Sequence, residues 1–322
     1  MKKIDFEAHY YTPFFQGYEG GDRLTKPGGT ILKLFSGLDD VGEQRLREMD
    51  ANGVDMQIVS LSAGLELMPP AESVEMARRV NDWLAESIAK HPDRFRGFAQ
   101  LPVFDTEAAV RELERCVREL GFVGWNTFSN FGGARLDEPR FYPILEKAHE
   151  LGVFLYLHPT APKIPDMQSE DIDLQLGMGF HFDTCITLMK LIIGGVFDRL
   201  PGLKVILGHL GEGWPFIFDR LNSKSLVAND PLVPELSKNV VKKKRCGDYW
   251  RTNIWCTTSG NLSAPSFRCA KEVLGIEHLL LGTDYPYERM GPMMEFLDGV
   301  GMTEEERGRL FHKNAEKFFG LG

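Results

Sequence analysis

Eight short apolar runs, each followed by a segment with helical hydrophobic spacing, recur along this chain. The runs are Ile4–His9, Met56–Leu61, Phe95–Leu101, Phe122–Asn126, Phe154–His158, Val205–Gly208, Ile254–Thr257 and Leu279–Thr283. They are rich in Val, Ile, Leu and Phe and mostly lack strict alternation, as expected of parallel strands covered on both faces. Between them, Ala71–Lys90 repeats apolar residues at helical intervals. Asp105–Leu120 opens on an acidic turn and stops at Gly121, and Phe141–Leu151 stops at Gly152. Thr303, followed by Glu304-Glu305-Glu306, caps a last helix. Strands alternating with helices either close into a barrel or spread as an open sheet. A count of eight favours a (β/α)8 barrel, one α/β domain over residues 1–322.

At 322 residues the chain buries enough surface to fold without disulfides. Its net charge of −9 argues against a nucleic-acid partner, whose phosphates call for basic residues. The one basic run, Lys242-Lys243-Lys244-Arg245, reads as a solvated loop face. The five cysteines are scattered with no CxxC, which fits reduced, buried thiols. No apolar run approaches the ~20 residues of a membrane span, and the N-terminus lacks a signal-peptide core, so a cytoplasmic protein with no membrane partner is expected.

Two connections are long: residues 10–41 after the first strand, rich in glycine, and residues 159–180 after the fifth, with Pro159, Pro162 and Pro165. Both leave the C-terminal ends of strands, where barrels build active sites. Polar groups gather at the same ends. The first strand finishes Phe6-Glu7-Ala8-His9, and alternation sends Glu7 and His9 inward together. The fifth finishes at His158, the sixth leads into His209 and Glu212, and the eighth into Asp284. In a barrel, Glu7, His9, His158 and Asp284 converge as a mixed oxygen and nitrogen site for one divalent ion. Glu212, three residues beyond His209, accepts from that ring and fixes its tautomer. Trp125 and Phe180, with Tyr10 and Phe128, are candidate aromatic walls, and His181 is a candidate substrate contact.

These motifs resemble the amidohydrolase superfamily. They are Glu-x-His on strand one, Leu157-His158-Pro159, Leu207-Gly208-His209-Leu210-Gly211-Glu212, Thr257-Thr258-Ser259-Gly260-Asn261 and Thr283-Asp284-Tyr285-Pro286. Within that superfamily the chain is similar to the aromatic-acid decarboxylases related to aminocarboxymuconate-semialdehyde decarboxylase, nearest to the γ-resorcylate and 2,3-dihydroxybenzoate enzymes. Arg79-Val80-Asn81-Asp82 and Pro92-Asp93-Arg94-Phe95 extend the likeness. Glu-x-His, where most of the superfamily has His-x-His, is the specific discriminator.

The resemblance implies Zn2+ or Mn2+ on Glu7, His9, His158 and Asp284, with no organic cofactor. It implies catalytic roles for Asp284, His209 and Glu212, a substrate-side role for Arg220, and a homodimer or homotetramer. The implied substrate is a small aromatic carboxylate with an ortho hydroxyl, which loses CO2 to leave a phenol in a reversible reaction. Asp284 is the candidate proton donor, kept neutral until needed. The competing expectation is a metal-dependent hydrolase or hydratase of a lactone or ring-cleavage acid on the same scaffold.

Overall fold

The computed structural model describes residues 1–15, 37–62, 65, 68–164 and 172–319. Most of the first long loop, including its glycine cluster, and Pro165 of the second lie outside the described residues. The strands are β1 (Ile4–Tyr10), β2 (Met56–Leu61), β3 (Phe95–Ala99), β4 (Gly124–Phe128), β5 (Phe154–His158), β6 (Lys204–Leu207), β7 (Ile254–Thr257) and β8 (Leu279–Leu280). All are parallel and follow one another in chain order around a single sheet. The ring closes where the chain leaving β8 meets β1: Phe6 N–H donates to Leu281 O, Asp284 N–H to Glu7 O and His9 N–H to Tyr285 O, each at 2.7 Å. This is the expected (β/α)8 barrel.

The expected helices form, although the one expected to stop at Gly121 already ends at Arg118. Asp105 caps Thr106–Arg118 by accepting from Ala108 N–H, and Gly152 ends Tyr142–Leu151 at φ 69°. Thr303 and Glu306 cap one another reciprocally at the last helical segment. Three strands differ from the sequence reading by two residues or more, the first being β3, which stops at Ala99 and not at Leu101. β4 runs two residues later than expected, and β8 pairs over only two residues, Leu279 and Leu280.

The barrel interior is filled by Ile4, Phe6, Met56, Ile58, Phe98, Phe154, Tyr156, Ile206, Trp255 and Leu280. Phe319 closes its lower end, with its ring stacked 4.8 Å from that of Phe154. Ile4 and Phe6 face inward here, so strict alternation would turn Glu7 and His9 outward. The register shows how the conflict is resolved: Asp5 pairs with Gln57 but Ala8 with Val59, so Phe6 and Glu7 together oppose Ile58. This β-bulge resets the alternation, and Glu7 and His9 then face the interior above the apolar layer.

Alternation in β4 corrects one expectation. Phe128 pairs with inward-facing His158 and Asn126 with Tyr156, whereas Trp125 pairs with Leu155. Trp125 therefore points to the helical layer and cannot wall the mouth. Lys242 is a second correction. It is buried, and its Nζ donates to Ser225 Oγ, Leu226 O and Lys244 O, so it is not part of a solvated face.

A third concerns Gln175–Ile193, a 19-residue helical stretch apolar enough by length and composition to cross a membrane, with a mean hydropathy of 1.3 in its best window. Counting uninterrupted apolar residues overlooked it. Leu188, Leu191 and Ile192 are buried, and Asp183 pairs with Arg135, as in a helix packed against a barrel.

Candidate metal centre and active site

Glu7 anchors the floor of the mouth. Its Oε2 accepts from Thr257 Oγ1 and Ser259 Oγ at the end of β7. Space for the carboxylate comes from two glycines. A Cβ on Gly208 would lie 2.9 Å from Glu7 Oε1, and one on Gly282 would lie 3.0 Å from Glu7 Cβ. Larger residues at these strand ends would displace the acid.

His9 is fully buried, and Ser60 Oγ lies 3.0 Å from its Nδ1. That hydroxyl also donates to Ala8 O, so the His9 ring is the donor at Nδ1 and Nε2 keeps its lone pair. Nε2 lies 2.9 Å from Asp284 Oδ1 yet has no hydrogen-bond partner, because the angle is wrong. A buried nitrogen with a free lone pair beside a carboxylate is what a metal ligand looks like. His158 is prepared in the same way. Its Nδ1 donates to Pro159 O at 2.7 Å, which leaves Nε2 free. Burial, then the nearby His9 ring, push its pKa down to about 3, so the ring stays neutral as a ligand must.

Ligand atoms of Glu7, His9 and Asp284 lie within 4.8 Å of one another, and the His158 ring stands edge-on to His9 with centroids 4.7 Å apart. These four residues fit a divalent ion: two carboxylates balance its charge, and two imidazoles present free nitrogens.

Beside this cluster the chain makes an unusual turn. His209, Leu210, Gly211, Glu212 and Gly213 all have positive φ, at 52°, 56°, 84°, 57° and 82°. The turn folds Glu212 back into the barrel, so the helix proper begins only at Trp214. Glu212 Oε1 accepts from His209 Nδ1 at 2.9 Å, and its Oε2 pairs with His181 Nδ1. His209 Nε2 thereby faces Asp284 Oδ2 at 3.9 Å, an ion pair too long for a hydrogen bond.

The charges follow from this geometry. Burial opposes ionisation of Glu212, but His209 and His181 outweigh it and hold the carboxyl well below its usual range. Burial also opposes a charged His209, yet Glu212 and Asp284 push that ring well above the ordinary histidine range. Asp284 is held low against burial chiefly by His209. In the protein alone, these directions favour a proton on His209 over one on Asp284.

The fold thus brings together Glu7, His9, His158, Asp284, His209, Glu212 and His181. Phe180 is half-buried at the start of the helix that delivers His181. Arg220 is placed elsewhere: it is exposed and lines a surface groove of about 920 Å3 with Met189, Ile193 and Lys224. Sequence reasoning passed over Asp5 and Ser60, which sit inside an apolar-looking strand pair. It quoted the Thr257–Asn261 motif without seeing that two of its hydroxyls anchor Glu7.

The amidohydrolase family model matches residues 4–321. The chain belongs to the amidohydrolase family. It is 36% identical over 334 residues to the γ-resorcylate decarboxylase of Rhodococcus jostii, covering 99% of this chain and 98% of that protein. The crystal structure of 2,6-dihydroxybenzoate decarboxylase from Rhizobium superposes with a TM-score of 0.88 at 32% identity, over 100% of this chain and 99% of that one. A dihydroxybenzoic acid decarboxylase from Polaromonas sp. JS666, solved with bound manganese and the inhibitor 2-nitroresorcinol, superposes at 0.87 and 32% identity, over 99% and 97%.

Proposed function

We propose that the protein is a metal-dependent, non-oxidative decarboxylase of a dihydroxybenzoate-type acid with a hydroxyl ortho to the carboxylate. The observation that carries this reading is the free Nε2 of His9 facing Glu7 and Asp284, with the His209–Glu212 couple beside it. Glu7, His9, His158 and Asp284 would hold Zn2+ or Mn2+, which when bound supplies Lewis acidity toward the carboxylate and phenolate oxygens.

Direct loss of CO2 would leave an aryl anion. Protonating the ring carbon that bears the carboxylate avoids this, because the ortho oxygen feeds electron density to that carbon. His209 stores the proton at Nε2, since Glu212 occupies Nδ1. Asp284 takes that proton and donates it to the ring carbon. The C–C bond then breaks, its electron pair restores the aromatic ring, and CO2 leaves. One proton is consumed per turnover, and His209 regains it from solvent.

His181 and Phe180 stand at the rim as substrate-side residues in this reading. The assembly we infer is a homodimer or homotetramer in the cytoplasm. What supports an oligomer is the apolar surface around the groove of Arg220, where Phe216 is 86% and Ile217 45% exposed.

The test is turnover of paired ortho- and para-hydroxybenzoates by Mn2+-loaded protein, with and without a strong chelator, following phenol and CO2. Turnover confined to ortho-hydroxy acids and abolished by chelator is expected. No product from any of them, despite bound metal, would redirect the reading to a hydrolase or hydratase of lactones or ring-cleavage acids.

A further inference from the structure

Asp5 lies two residues before Glu7 in β1 and is fully buried. Its carboxylate accepts four hydrogen bonds. Oδ1 takes Glu7 N–H at 3.1 Å and Thr283 N–H at 2.9 Å, while Oδ2 takes Gln57 Nε2 at 2.8 Å and Thr283 Oγ1 at 2.6 Å. One side chain thus holds the backbone of Glu7 and the residue before Asp284, at the seam where the barrel closes. It also sits at the foot of the bulge that turns Glu7 inward.

The partners are themselves fixed. Gln57 Oε1 accepts from Arg45 Nη1, which leaves the Gln57 amide nitrogen to face Asp5. Arg45 is fully buried and donates from Nη2 to His9 O at 2.6 Å. Asp5, Gln57 and Arg45 form a continuous polar spine behind Glu7 and His9.

We propose that Asp5 is a positioning residue of the metal centre, setting Glu7 and Asp284 in register with one another across the barrel seam. The inference rests on reading Glu7 and Asp284 as metal ligands. An ionised carboxylate suits this place because all four neighbours are donors, and it alone among small side chains offers acceptors to all of them. An asparagine of the same shape would turn an NH2 group against either the two backbone N–H groups or the Gln57 amide and Thr283 hydroxyl. One pair of donors would lose its acceptor in a buried place.

The test is Mn2+ binding to metal-free protein by electron paramagnetic resonance titration, which needs no substrate. Asp5→Asn should weaken Mn2+ binding by about 10–100-fold, the range for outer partners of metal ligands, and alter the spectrum of the bound ion. Thr283→Val, which removes one donor and leaves Asp5 in place, should weaken it less and serves if Asp5→Asn does not fold. Asn253→Ala, which removes buried hydrogen bonds to Pro201 O and Leu203 O at the end of the barrel opposite the mouth, should lower the melting temperature without moving the Mn2+ Kd. Wild-type affinity and spectrum in Asp5→Asn, or in Thr283→Val where that variant stands in, would overturn the proposal. So would an equal loss in Asn253→Ala. If wild-type protein binds Mn2+ but decarboxylates nothing, the decarboxylase reading fails while the Kd series still decides the role of Asp5. A wild-type chain that takes up no Mn2+ overturns the metal reading and this proposal together.

Discussion

In the proposed reaction His209 serves as a proton store because each ring nitrogen has one assignment. Nδ1 is bound to Glu212, and Nε2 is left facing Asp284. His209→Asn should therefore lose about 10²–10⁴ in kcat, the usual worth of a positioned acid or base, with bound metal unchanged by elemental analysis. Glu212→Gln keeps an acceptor at Nδ1 but removes the charge that lifts the ring. The protonated ring is then lost at lower pH, so the alkaline limb of the kcat profile should move toward acid. A profile with an unmoved limb would assign the proton store elsewhere. These residues stood out in the sequence because Gly-His-x-x-Glu after an apolar run is costly to explain as core. Asp5 did not stand out, since its value lies in four donors, three of which come from Gln57 and Thr283, far away in the chain.

At the scale of elements, the left-handed turn from His209 to Gly213 stores strain. Each non-glycine residue there costs roughly 1–2 kcal/mol, offset by the buried His209–Glu212–His181 contacts it permits. Gly260, in the loop after β7, protects the same ring: at φ 61°, a Cβ there would lie 2.6 Å from His209 Cδ2. Gly301 has φ 85° but nothing within 4 Å of its would-be Cβ. Gly260→Ala and Gly301→Ala should each lose about 1 kcal/mol or more to backbone strain in thermal unfolding. Only Gly260→Ala should also lower kcat, by tenfold or more, since only it displaces the histidine. Equal kcat in the two variants would show that His209 tolerates movement. Gly211 and Gly213 announce part of this turn, but its full extent was not legible, because Leu210 and Glu212 carry no preference for left-handed backbone.

Over the whole molecule, Arg135 and Asp183 clamp three segments at the barrel mouth. Asp183 accepts from Ser129 Oγ at 2.6 Å and Asn130 Nδ2 at 2.7 Å after β4, and from Lys163 N–H at 3.3 Å after β5. Its own helix carries His181. Burial raises the Asp183 pKa, but the Arg135, Ser129 and Asn130 hydrogen bonds outweigh it and leave the carboxyl below its usual value. A depressed folded-state pKa adds stability above the unfolded value near 4, and that stability is lost as pH falls through the folded value. Breaking the pair with Asp183→Asn should cost about 3–5 kcal/mol at pH 7, and the gap to wild type should narrow in acid. Thermal unfolding at pH 7 and across the acidic range checks both. A gap independent of pH would mean that the carboxylate's charge is not what stabilises the mouth.

By itself the sequence determined the strand count, the barrel and the set of polar residues at its mouth. Each of these follows from local hydrophobic periodicity and from polar groups placed where a core has no use for them. The tertiary structure alone decided the rest. The bulge at Phe6 and Glu7 set which face of β1 meets the polar cluster at the barrel mouth. The strand pairing sent Trp125 outward, and the packing buried Lys242 and left Arg220 on an exposed groove. The reason is physical: alternation within a strand is local, but its phase against the barrel axis depends on partners up to 278 residues away, as Thr283 is from Asp5.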